Sequence, residues 1–157
     1  MRITTKGRYA IKAITNLAIT AMNKPKSIKA IAQDEEISAE FLEQIFFKLK
    51  KAGIIDSTRG PGGGFKLNGD PNTITVKDIF IAVDEGLDLT PCTTCNEKDG
   101  GLCERTDICI VHDVWKDAST QINDYFHNIT LQTIMDSTKG KALADRLRNP
   151  SSGSSEH

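Results

Sequence analysis

Apolar residues Ile11, Ala13, Ile14, Leu17 and Ala18 recur at the spacing that lines one face of an α-helix. An amphipathic helix is therefore expected over Lys6 to Met22, ended by the Asn23-Lys24-Pro25 breaker. Ser27 reads as the N-cap of a short second helix through Ala30, Ile31 and Ala32, and Ser38 as the cap of a third. In that third helix Phe41, Leu42, Ile45, Phe46 and Leu49 form an apolar stripe. Glu40, Glu43, Gln44, Lys48 and Lys51 fall on the other side, and Gly53 stops the helix. Two short helices with a tight connection and a polar outer face on the second fit a helix-turn-helix, although any small three-helix core would give the same pattern.

The following segment separates the two. Ile54-Ile55-Asp56-Ser57-Thr58 and Phe65-Lys66-Leu67 read as strands around Arg59-Gly60-Pro61-Gly62-Gly63-Gly64. Pro61 presets the first central angle of a type II turn and Gly62 supplies the positive second one, so the strands can close into a hairpin. Such a wing, nearly without side chains but carrying one guanidinium, can approach a phosphate backbone or enter a narrow minor groove. The expected fold class is mainly α: a winged helix-turn-helix domain with a small β-hairpin wing and a long C-terminal dimerisation helix.

Thr75 and Asp78 fit a capping box for a helix through Ile79, Phe80, Ile81, Ala82 and Val83 that ends near Gly86. Residues 88–110 show no periodicity and hold every cysteine, which marks a functional or disordered stretch. Beyond them Val111, Trp115, Ala118, Ile122, Tyr125 and Ile129 alternate steps of four and three, an a/d seam suited to pairing with a second copy of the chain. Packing back onto its own core is the other use of such a helix. The expected organisation is a DNA-binding domain over 1–86, a cysteine-rich loop over 87–110, a dimerisation helix with a short following helix over 111–136, and a disordered tail over 137–157. The polar run from Asn149 motivates the last assignment.

Charge changes the picture by its distribution. Residues 1–66 hold 12 Lys or Arg against 6 Asp or Glu, and residues 67–157 hold 8 against 15, although the whole chain is nearly balanced. A positive excess confined to the helix-turn-helix half is what a nucleic-acid footprint needs. Candidate DNA contacts are Lys6 and Arg8 in the first helix, Ser38, Glu40, Glu43, Gln44, Lys48 and Lys51 in the third, and Arg59, Gly60, Pro61, Gly62 and Gly63 in the wing. Gln44 can bond adenine bidentately in a major groove, and the lysines and Arg8 suit phosphate. The polar-interrupted N-terminus carries no signal-peptide pattern and no stretch suffices to span a bilayer, so a cytoplasmic, reducing location without membrane contact is expected.

Reduced thiols at high density suggest metal or redox chemistry. Cys92, Cys95, Cys103, Cys109 and His112 place five soft or borderline donors within 21 positions. These donors select zinc, iron–sulfur clusters or copper, and spacing alone leaves a Cys3His zinc site and a two-iron cluster both open. Cys92-Thr-Thr-Cys95 as a thioredoxin-like dithiol would need a preceding βαβ unit, which the sequence lacks. An enzyme is not indicated, because the glycine-rich run has no following helix and no paired catalytic carboxylates stand out.

The opening M-R-I-T-T-K-G-R-Y-A, the segment Ile37-Ser38 with Phe41-Leu42-Glu43-Gln44-Ile45-Phe46, the wing R-G-P-G-G-G, Ala82-Val83-Asp84-Glu85, and Cys109-x-x-His112-x-x-Trp115 together resemble the family of winged-helix repressors that includes iron–sulfur cluster regulators. The resemblance runs from Met1 to about Met135. It implies a homodimer on a double-stranded DNA operator, repressing cluster-assembly genes when clusters are plentiful, with the cluster-assembly machinery as cluster donor. It also implies ligation of a 2Fe-2S cluster by Cys92, Cys103, Cys109 and His112, and a role for Glu43 in discriminating between operator classes. Cys95 is extra and can substitute for a ligand or help hold a 4Fe-4S cluster instead. The nitric-oxide-sensing branch uses a first-helix carboxylate where this chain has Arg8, which disfavours it. A zinc-stapled nucleic-acid or protein binding module, or a nitric-oxide- or redox-sensing repressor of the same family, is the alternative function.

Overall fold

A computed structural model describes residues 2–22, 24–93, 103 and 105–150. Helix α1 (Thr5–Thr20) is capped by Thr4, whose hydroxyl accepts from the Gly7 N–H, and it buries Ala10, Ala13, Ile14, Leu17 and Ala18. Ser27 and Ser38 cap α2 (Ile28–Glu35) and α3 (Ala39–Lys51) as their sequence context predicts. Side-chain caps of this kind each contribute about 1 kcal/mol by satisfying an orphan N–H. Glu36 takes a left-handed conformation at the end of α2, which turns the chain sharply into α3 and completes the helix-turn-helix.

Strands β1 (Ile55–Thr58) and β2 (Gly64–Leu67) pair antiparallel with Ser57 opposite Phe65. The wing turn is the one predicted: Gly62 has φ 74° and the Gly63 N–H donates to the Gly60 carbonyl at 2.9 Å. Lys26 forms reciprocal backbone hydrogen bonds with Phe65, so the loop before α2 extends the hairpin base. Its ammonium meets Asn16 and Asp34, and Asn16 also donates to the buried Glu35, giving a polar network that fixes α1 against α2.

Helix α4 (Val76–Ala82) starts with the predicted Thr75–Asp78 capping box. It stops earlier than the sequence pattern suggests. Asp84 adopts φ 54°, and the Glu85 and Asp84 N–H groups donate back to Phe80 and Ile81, a Schellman closure that ends the helix before Gly86. Helix α5 (His112–His127) follows the cysteine segment, and two backbone bonds, Val76 N–H to the Ile129 carbonyl and Leu131 N–H to the Ile74 carbonyl, dock its exit onto the start of α4. Phe126 adds an edge-to-face contact with Phe80 at 5.2 Å. The main core joins α1 to α4, the wing and Leu131 of α6 (Leu131–Asp136), with Phe46 and Phe65 stacked edge-to-face at 5.1 Å.

The expectation of a disordered tail from residue 137 fails over its first part. Thr138–Arg148 form a helix, α7, which packs against α1 and α6. Ser137 caps it by accepting from the Gly140 N–H at 3.0 Å, and Leu143, Ala144 and Leu147 give it a half-buried face. The low-complexity residues 151–157 lie outside the described residues.

Candidate DNA-reading face and cysteine site

The third helix divides as its periodicity requires. Leu42, Ile45, Phe46 and Leu49 are buried, Phe41 is half-buried against Tyr9, and Glu40, Glu43, Gln44 and Lys51 are exposed. The wing tip, Arg59 to Gly62, is exposed with Gly63 half-buried, and the Lys50 ammonium donates to Ser57 Oγ, tying the exposed side of α3 to β1. Arg8 is exposed and donates to Thr5 Oγ1, and Ser38 serves α3 as its cap. An exposed polar helix and a basic glycine turn thus sit side by side on one rigid domain.

Two of the expected phosphate contacts are not free. Lys48 is ion-paired with Asp84 at 2.5 Å, and Lys6 donates to the Asp84 carbonyl at 3.2 Å. The Lys48 hydrogen bond holds the Asp84 carboxyl below the usual carboxylate range. Its folded-state value being depressed, the pair contributes above the unfolded-state value and is lost as pH falls through the folded one. Replacing Asp84 by Asn keeps a residue that tolerates the left-handed backbone while removing the competing charge. Asp84→Asn is expected to tighten binding to non-specific duplex DNA about two- to fivefold at low salt and to steepen the salt dependence by up to about 0.9. Fluorescence anisotropy over a salt series checks this, and an unchanged slope would show that Lys48 makes no phosphate contact.

The neighbouring Glu85, which spacing did not single out, is a second anchor. It is buried, accepts the Thr4 N–H at 2.9 Å and the Thr4 hydroxyl, and lies so close to α1 that a Cβ at Gly7 would come within 2.5 Å of its carboxylate. Asp84 and Glu85 therefore fasten the segment entering the cysteine loop to α3 and α1 respectively. The only sequence signal was their place in the Ala82-Val83-Asp84-Glu85 motif.

Among the described donors, Cys92 sits in a 3-10 turn (Pro91–Thr93) and contacts the Thr90 hydroxyl at 3.1 Å. Ser119, buried on α5, accepts the Leu89 N–H at 3.1 Å and meets the Thr93 hydroxyl, so this turn is pinned to mid-α5. Burial raises the Asp88 carboxyl at the loop's entry above its ordinary range. Cys109 and His112 stand together at the start of α5, where the His112 N–H donates to the Cys109 carbonyl at 3.1 Å. His112 Nδ1 is buried without a hydrogen-bond partner among the described residues. Cys92, Cys103 and Cys109 are free thiols, with Cys103 exposed. Among the described residues no three such donors converge, and Cys95 lies outside them. Donor chemistry thus fits a thiolate-rich metal group: the described residues supply three free thiols and an imidazole whose Nδ1 has no hydrogen-bond partner among them.

Only Ser119 of α5 is buried, while Val111, Val114, Trp115 and Tyr125 are exposed. Of the seam expected for pairing, Val111, Trp115 and Tyr125 are uncovered in the single chain, whereas Ala118 and Ile122 are half-buried and Ile129 lies beyond the end of α5, half-buried against the Val76–Phe80–Leu87 cluster. Among the described residues no helix is long and apolar enough to cross a membrane.

A helix-turn-helix joined to a two-stranded wing, with the second helix of the pair exposing its polar face, defines a winged-helix transcription regulator. Comparison with known proteins agrees and goes further. The chain belongs to the Rrf2 family of iron-dependent transcriptional regulators, whose pattern matches residues 3–137. The HTH-type transcriptional regulator IscR of Vibrio campbellii is 38% identical over 146 residues, covering 93% of this chain and 84% of that protein. Among solved structures, T. potens IscR superposes with TM-score 0.68 at 25% identity, covering 100% of this chain and 93% of the other. CymR, the global cysteine regulator of B. subtilis, superposes with TM-score 0.67 at 28% identity over 85% of this chain and 95% of its own. The chain is therefore a DNA-binding transcription regulator, a non-enzymatic role.

Proposed function

We propose that this regulator is a cytoplasmic homodimer that represses iron–sulfur cluster assembly genes in response to a 2Fe-2S cluster held by Cys92, Cys103, Cys109 and His112. The observation that carries the reading is the position of Cys109 and His112 at the base of α5, with the buried His112 Nδ1 lacking a hydrogen-bond partner among the described residues. When bound, the cluster supplies iron–thiolate and iron–imidazole bonds between the loop and that helix. The turn that carries Cys92 is held to the same helix by Ser119, which bonds Leu89 and Thr93, and Asp84 and Glu85 fasten the loop's entry to α3 and to the start of α1. The Asp84–Lys48 ion pair thereby links the residues that lead into the loop to α3. The cluster-assembly machinery is the donor, and Cys95 is held in reserve as a substitute ligand.

Double-stranded DNA is read by α3 in the major groove, with Gln44 on a base edge, Glu43 accepting from cytosine, and Arg59 at the flanking backbone. Pairing through Val111, Trp115, Ala118, Ile122, Tyr125 and Ile129 sets two such helices on a two-fold operator. Trp115→Glu combined with Tyr125→Glu is expected to convert the dimer to monomer at micromolar concentration while leaving the monomer's thermal unfolding nearly unchanged, since both residues are exposed. Sedimentation velocity decides it, and a persistent dimer would move the interface elsewhere.

Anaerobic purification with iron, sulfide and zinc analysis tests the ligand assignment. Visible absorption with matched iron and acid-labile sulfide supports it. A colourless chain with stoichiometric zinc favours instead a zinc-stapled module in which the loop is a structural clip.

A further inference from the structure

Two adjacent phenylalanines of α3 have opposite fates. Phe46 is fully buried in the core, whereas Phe47 is 69% exposed. At about 100° per residue, Glu43, Phe47, Glu40, Lys51 and Gln44 share one arc of the helix, with Phe47 near its middle and almost opposite the buried stripe of Leu42, Ile45, Phe46 and Leu49. Keeping a large aromatic ring in water at the centre of a polar helix face gives the isolated chain nothing, so its use lies in what covers that face.

Charge says what that is. Lys48 is already paired with Asp84, but Lys50 and Lys51 in the last turn of α3 and Arg59 on the neighbouring wing are exposed cations that outnumber Glu40 and Glu43 on this side of the domain, so the face suits a polyanion. Within a major groove, the one apolar group on a base edge is the C5-methyl of thymine, which Phe side chains contact. Gln44, whose amide complements adenine, lies three residues before Phe47, about 4.5 Å along the axis against a base step of about 3.4 Å. The two side chains therefore address successive base pairs with complementary chemistry.

We propose that Phe47 is a specificity-determining residue that packs on a thymine methyl next to the base pair read by Gln44. The assignment rests on DNA reading by α3 but is separable from it. Sequences are selected from a randomised duplex library by the full-length wild-type chain, by Phe47→Ala and by Phe47→Leu, and thymines of the winning duplex are then replaced one at a time by deoxyuridine, which lacks only the methyl. Wild type is expected to lose about fourfold in affinity at one thymine, the value for removing one methyl from contact. Phe47→Ala should be indifferent to that replacement and lose the thymine preference there while keeping its other preferences, and Phe47→Leu should retain part of it. Thermal unfolding close to wild type confirms that the exposed substitution leaves the domain folded. A wild-type chain that selects sequence but tolerates deoxyuridine at every position, or a Phe47→Ala variant with unchanged selection, overturns the role of Phe47 alone. A wild-type chain that selects no sequence overturns base reading by α3 and this assignment with it.

Discussion

Phe46→Ala is expected to lose about 3 to 5 kcal/mol of folding stability, the range for truncating a fully buried aromatic side chain. Phe46 joins α3 to the wing through its edge-to-face contact with Phe65, and its ring is inaccessible to solvent. Removing it opens a cavity between the reading helix and the hairpin, and the midpoint of thermal unfolding should fall by about 10 °C for a chain of this length. Phe47→Ala, one residue away, should cost less than about 0.5 kcal/mol, as is usual for an exposed substitution. Chemical denaturation of the two variants side by side measures the contrast. Equal losses would mean that the division of α3 into buried and outward faces is wrong.

Cys109→Ala should abolish retention of iron by the anaerobically purified chain, with loss of visible absorption by more than about tenfold, while the secondary structure by circular dichroism stays unchanged. Cys109 is only half-buried and belongs to no hydrophobic cluster, so its thiol has no evident packing role. Its backbone carbonyl, which accepts from His112, survives the substitution. A metal group held by bonds from one short segment loses most of its affinity when one of those bonds is removed. Cys95→Ala should by contrast retain both iron and colour. Full iron in Cys109→Ala, or its loss in Cys95→Ala alone, would reassign the ligand set.

Elements governed by local chemistry were legible in the sequence. Caps at Ser27, Ser38 and Thr75 and the Pro61-Gly62 turn depend on neighbours within a few residues, and the structure places each as expected. The apolar periods of α1 and α3 also survived, since burial on one face is what periodicity records. Helix α7 was missed because the polar tail beyond Asn149 dominated the reading of that end, although Ser137 and the Leu143–Leu147 pair carry its signal.

Contacts between segments distant along the chain were not legible. Lys48 and Lys6 read as free cations for phosphate, yet Asp84 engages both from far along the chain. Glu85 and Ser119 likewise acquire their roles through distant partners, Thr4 for the first and Leu89 and Thr93 for the second, which no helical or strand period foretells. Candidate ligands were readable as chemistry, because thiols and imidazole stand out by type. Whether they converge is a matter of long-range placement that no periodicity encodes; among the described residues no three of them do, and Cys95 falls outside those residues.

Footprinting of one operator fragment with anaerobic, reconstituted protein and with the same protein stripped of metal tests the linkage between loop and reading helix most directly. Protection that changes in position or in the protein concentration required, by about tenfold or more between the two forms, is the predicted result. Identical protection by both forms on every fragment selected by the wild-type chain would contradict it.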